Sequence, residues 1–287
     1  MRIILFLFGI TYFSLCLRAQ TPPLESSPTM NHKQHQLFIS WGYNRAYYNE
    51  SDIHFKGEGF DFTLKNARAE DMPEEFSPEV YFNPGQFTVP QFNFRAGYYF
   101  GKNTAISMGW DHMKYHLIGT QLLKIDGHID EEKYFNPVYT GNFNDEYILY
   151  NSSFMNYHHS DGFNFIRVAL EQRIPFWQSV NKKHVLAMNA SASIGAFLPW
   201  TDFTFFGTQH RNKPHLAGYG ASLHAGFRYE FFRYFFLQGT AQFGWSNLVD
   251  IMLEDHLPSR AEQKITFIER AWAIGGYIPL QRKREDR

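Results

Sequence analysis

The sequence predicts an all-β protein: a closed, antiparallel, up-and-down transmembrane β-barrel of about eight strands with long extracellular loops. Three observations predict it. The stretch from Gln91 to His116 alternates with a period of two on both sides of a Gly101-Lys102-Asn103 link, the mark of a tight antiparallel hairpin. One face of that hairpin carries Phe92, Phe94, Tyr98, Ile106, Met108 and Trp110, while the other carries Asn93, Arg95, Gly97, Ser107, Gly109 and Asp111. Rings on one side and small or polar groups on the other suit lipid outside and a narrow lumen inside. Finally, after the first twenty residues no stretch is apolar enough to cross a bilayer as a helix, so membrane residence requires a closed barrel.

Residues 1–19 read as a secretory signal peptide, with Arg2, an apolar run from Ile3 to Leu17, and Ala19 before the cut. Cys16 is the one cysteine of the 287 residues, and Leu15 stands where a lipidation signal wants a small residue. Cleavage would leave a mature chain without disulfides or thiolate metal sites. A net charge of −1 argues against general nucleic-acid binding.

Residues 20–36 read as a flexible periplasmic lead-in, 37–280 as one barrel domain, and 281–287 as a charged tail. The first strand spans Leu37 to Tyr48, with Ile39, Trp41 and Tyr43 opposite Ser40, Gly42 and Asn44. Ile53 to Leu64 is extended but diluted by glycines and charges, and reads as structure projecting above the barrel. Ten strands are the alternative if it, or part of the long central loop, also spans. After the hairpin and a polar excursion from Gly119 to His159, alternation resumes in five further segments: Asp161–Arg173, Val185–Leu198, Ala217–Phe231, Phe235–Leu248 and Thr266–Ile278. Short turns fall on one side and long loops on the other. The FFRYFF turn at Arg233 suits an interfacial aromatic girdle.

The pattern resembles the small outer-membrane β-barrels of Gram-negative bacteria. The runs DIHFKGEGFDFTL, PQFNFRAGYYF, GWDHMKY and HHSDGFN are similar to an uncharacterised family of that kind. The resemblance implies location in the cell outer membrane and fold, without an assigned activity. It also implies contact with outer-membrane lipids and lipopolysaccharide, passage through the barrel-assembly machinery, and a monomer. Such barrels commonly end on an aromatic residue, whereas here Tyr277 is followed by ten more residues, Ile278 to Arg287.

Phase places Arg95, Arg167 and Arg228 in the lumen with Asp111, Glu171, Glu230 and Glu269, and His224 among them. An interior this narrow is filled by side chains, so these charges are expected to pair as a plug. A narrow pore or hydrophobic-ligand conduit is the alternative. His158 and Ser160 are the candidate catalytic pair, since a His beside a hydroxyl can serve as general base. Their spacing is similar to the motif of outer-membrane lipid A 3-O-deacylases, although Asp161 replaces the usual Asn and no acidic partner can be placed. A polar loop end meeting a strand explains the same residues, and the balance of the reading is non-enzymatic. His112 and His116 share a strand face but lie roughly 13 Å apart at the strand rise, which suits rim residues better than one metal. No cofactor or metal site is expected.

Overall fold

The computed structural model describes residues 32–280, apart from 76, 82, 87, 88, 211 and 256. The expected signal peptide and charged tail lie outside the described residues. Fifteen strands follow in chain order. They are β1 (Gln36–Tyr48), β2 (Ser51–Gly57), β3 (Phe60–Ala67), β4 (Ala69–Glu70), β5 (Phe92–Tyr99), β6 (Thr104–Leu117), β7 (Gln121–Ile129) and β8 (Gly141–Tyr150). Then come β9 (Met155–Gln178), β10 (Val185–Pro199), β11 (Asp202–Phe205), β12 (Thr208–His210), β13 (Gly218–Phe231), β14 (Phe235–Met252) and β15 (Arg260–Pro279).

Eight of them form the ring, in the order β1-β5-β6-β9-β10-β13-β14-β15. It closes where β15 pairs antiparallel with β1, from Gln36↔Pro279 to Tyr48↔Phe267. These are the eight alternating segments of the sequence, and the ten-stranded alternative falls. The Ile53–Leu64 region instead forms the β2–β3 hairpin, which pairs with the upper end of β15 and continues through β7 to β8. The extracellular sheet is therefore a continuation of the barrel wall. Its core is aromatic, with Phe55, Phe62, Phe154, Phe203 and Phe205 packed together and buried.

The wall has the expected polarity. Met108, Leu223, Phe227 and Trp272 are 62%, 63%, 64% and 77% exposed, while Ala105, Ser107 and Asp111 on the alternate phase are buried. So continuous an apolar exterior is stable only against lipid. Phe92 departs from this: outward by phase, it is buried at the strand end, stacked 5.0 Å from His112 and edge-on to Trp110. A second departure lies near the extracellular end of the lumen. There Phe163, Phe165, Phe197 and Phe267 turn inward: Phe163 and Phe165 stack on Phe197, with Phe165 and Phe197 centroids 4.4 Å apart, and Phe267 meets Phe197 edge-on. Alternation is unbroken, but at this height the inner side faces the aromatic core above, so rings replace small residues.

The β13–β14 turn holds Phe232 and Arg233 at φ 51° and 72°, a left-handed pair that matches the twist of a tight hairpin. On β9, Gly162 sits at φ 138° beside the register shift between Met113 and Tyr115. A Cβ there would meet Asn164 Nδ2 at 2.5 Å and His112 Cε1 at 2.7 Å, so glycine is required at this bulge.

Candidate functional site

The lumen holds two polar layers. In the upper one, Asp111 accepts from Arg167 Nε at 2.8 Å and pairs with Arg95. Asn93 Nδ2 donates to Asp111 and to Glu269 Oε1, each at 2.5 Å, and so bridges the two carboxylates. Glu269 Oε2 and the amide nitrogen of its cross-strand neighbour Gln242 have no hydrogen-bond partner. His224 bonds Ser222 at 2.9 Å, and Ser222 bonds Ser193 at 2.6 Å.

The lower layer is denser. Arg228 donates to Gln238 at 2.6 Å and to the hydroxyls of Tyr99 and Tyr277 at 2.9 Å, with its guanidinium 4.2 Å from the Phe236 ring. Glu171 accepts from Ser107 at 2.5 Å and lies 4.0 Å from Arg228. Glu230 accepts from Arg173 at 2.6 and 3.0 Å, from Tyr277 at 2.8 Å, and from Lys33 at 3.1 Å. All eight lumenal residues named from the sequence point inward, and the cavity lined by Arg95, Arg167, Glu171, His224 and Arg228 among them holds about 40 Å³, room for a few waters at roughly 10–15 Å³ each.

Three members of this layer were not anticipated. Arg173 has the same phase as Arg167 and Glu171 and stands at the very end of its alternating segment. Tyr277, the aromatic near the C-terminus, faces the lumen and not lipid. Lys33 falls in the stretch expected to be a flexible lead-in, and that expectation fails for its last residues. Lys33 N–H donates to Lys102 O at 2.9 Å, His35 N–H to Tyr99 O at 2.8 Å, and Leu280 N–H to His35 O at 3.0 Å. The strap so formed carries the buried Lys33 ammonium to the periplasmic mouth, 3.8 Å over the Tyr277 ring.

Burial lowers the Lys33 ammonium to about 8, against the upward pull of Glu230 and with a further downward push from Arg173. The folded chain thus sheds this proton between about pH 8 and 10.5, where the unfolded chain keeps it. By linkage, stability rises with pH in that window. Wild type is expected to gain on Lys33→Met as the pH is taken from 7 to 10, read as the difference in urea midpoints. A constant difference would show that Lys33 does not titrate in the window.

The catalytic candidates lie at the other end. β9 carries His158 and Ser160 on its outer face, and β11 brings Asp202 opposite His158. Ser160 Oγ donates to Asp202 Oδ2 at 2.5 Å, and His158 Nε2 lies 3.6 Å from the same oxygen. The acid that sequence could not place is therefore Asp202, reachable only through tertiary pairing of the β11–β12 hairpin. Its position reverses the order acyl transfer needs, because the carboxylate stands between serine and histidine. His158 packs against His116, ring centroids 5.0 Å apart and tilted by 39°. His112 bonds Asn164 Oδ1 at 2.8 Å. The group works as a clamp pinning β11 to β9.

A closed eight-stranded ring, an apolar outer wall and a charged, filled lumen define a transmembrane β-barrel of the outer membrane. No protein-family model matches the sequence, and no curated protein matches it. Among solved structures the fold is similar to the outer membrane protein AlkL, at 12% identity over 93% of this chain and 100% of that chain, with a TM-score of 0.42. It is similar to OprG from Pseudomonas aeruginosa, at 10% identity over 86% and 98%, with a TM-score of 0.38. It is also similar to Ail of Yersinia pestis, at 12% identity over 85% and 99%, with a TM-score of 0.31.

Proposed function

We propose that the barrel is a closed, non-enzymatic anchor whose work is done by the β-sheet it holds above the membrane. The observation that carries this reading is the filled lumen. Two charged layers and the aromatic stack of Phe163, Phe165 and Phe197 block the axis. A conduit would need these layers to part. The extracellular sheet, by contrast, offers contact surface: Leu122, Tyr147 and Phe135 are 64%, 66% and 82% exposed. Planar-bilayer recording tests the closed state. Purified wild type is expected to give a flat trace at 100 mV, and unitary steps would overturn the reading.

A second reading, an envelope acyl hydrolase, draws support from the contacts of Ser160 and His158 with one carboxylate. It ranks lower because Asp202 occupies the place from which His158 would have to take the serine proton. Incubation with lipopolysaccharide in detergent is expected to release no more fatty acid from wild type than from Ser160→Ala. Release lost in the variant would install the hydrolase in place of the anchor.

A further inference from the structure

On the outer wall, Arg45 of β1 and Arg270 of β15 are directly paired across the closing seam. Both are outward by phase, in register with Tyr43, Tyr47, Ile268 and Trp272. Like charges directly opposite one another repel and destabilise a strand pair. Among the described residues no carboxylate lies within 4.0 Å of either guanidinium. Asp71, whose charge reaches Arg45, is instead bonded to Gln91 at 2.5 Å and to the Ala46 N–H at 3.3 Å. Arg45 reaches only its neighbour's carbonyl, Asn44 O, at 2.7 Å. Arg270 donates to the Tyr47 hydroxyl and lies 4.9 Å from that ring. Most of the donors of these two forks are left for something outside the chain.

Height says what that is. Arg45 stands nine residues up from Gln36, and Arg270 nine up from its partner Pro279. At a rise of about 3.3 Å per residue and a tilt of about 40°, this is roughly 23 Å above the periplasmic rim. The apolar band of such barrels is about 25 Å tall, so the pair sits where outer-leaflet headgroups begin. Beneath it a groove of about 890 Å³ descends the wall. Its floor is Gly239 and Ala241, and its sides include Trp272, Phe227 and Leu237. Trp272 lies across Gly239, where an added Cβ would be 2.8 Å from the ring. An anion-accepting head over an acyl-wide apolar channel is a lipid site, and two forked guanidinia suit a phosphate.

We infer that Arg45 and Arg270 bind a phosphate of lipid A in the outer leaflet, with an acyl chain in the groove past Trp272. This rests on the membrane-barrel reading. Native mass spectrometry of the full chain in detergent micelles tests it, with bisphosphorylated lipid A, dephosphorylated lipid A and inorganic phosphate as probes. Wild type is expected to retain the bisphosphorylated form at least 10-fold better than the dephosphorylated one. Arg45→Gln/Arg270→Gln should lose that preference, and Arg45→Lys/Arg270→Lys should keep part of it. An unchanged preference in the glutamine variant, or displacement of lipid by inorganic phosphate, overturns the site. Heat-dependent gel mobility, identical in all three proteins, establishes that the variants fold. A protein that needs no detergent would instead refute the barrel reading itself.

Discussion

Replacing Glu230 by alanine is expected to destabilise the barrel more than any other single change at its periplasmic mouth. That carboxylate accepts from Arg173, Lys33 and Tyr277 at once, and all three are buried. Its loss leaves two cations facing each other away from water, and breaking a buried ion pair in this way costs about 3–5 kcal/mol. For a domain of this size the thermal midpoint should fall by about 6–20 °C. Heat-dependent gel mobility, or tryptophan fluorescence in detergent, reads the shift. Glu230→Gln keeps an acceptor for Arg173 and should fall between the two. A midpoint that stays put in the alanine variant would mean that water solvates both cations and the layer is not sealed.

The second large effect is expected at Asp111. Alanine there removes the shared partner of Arg95 and Arg167, which then repel across Gly109, and the loss should again reach about 3–5 kcal/mol. The informative comparison is the triple variant Arg95→Met/Asp111→Leu/Arg167→Met. Removing all members of a buried charged group, and filling their volume with apolar side chains, is often neutral or stabilising. The triple variant should therefore unfold in urea near the wild-type midpoint, well above Asp111→Ala. If both unfold early, the charges themselves hold the wall together, and desolvation is a smaller cost here than supposed.

Legibility of the sequence followed the range of the physics. Alternation is local, so the eight strands could be bounded and the lumenal side of Arg95, Asp111, Arg167 and Glu269 assigned by phase alone. The same phase reaches Arg173, the last residue of its segment, and Tyr277, two residues beyond Gly275, and puts both on the lumenal side. Lys33 carried no periodic signal. It is buried because His35, at φ 61°, turns the chain under the barrel. Asp202 is out of reach for another reason: its bond with Ser160 spans 42 residues and depends on a separate hairpin folding back. The inward rings at the top were a failure of rule, not of phase. Small residues belong inside only where the opposite wall is close, and near Phe163 and Phe197 the neighbour is a hydrophobic core.

β15 belongs to both bodies. β15 pairs with β14 and β1 inside the membrane and with β2 above it, without a break in the chain. A tug on the exposed sheet is therefore delivered along the axis of the strand that closes the cylinder. Its ladder bonds lie across the pull and share it in parallel, so the seam is loaded in shear and not peeled one bond at a time.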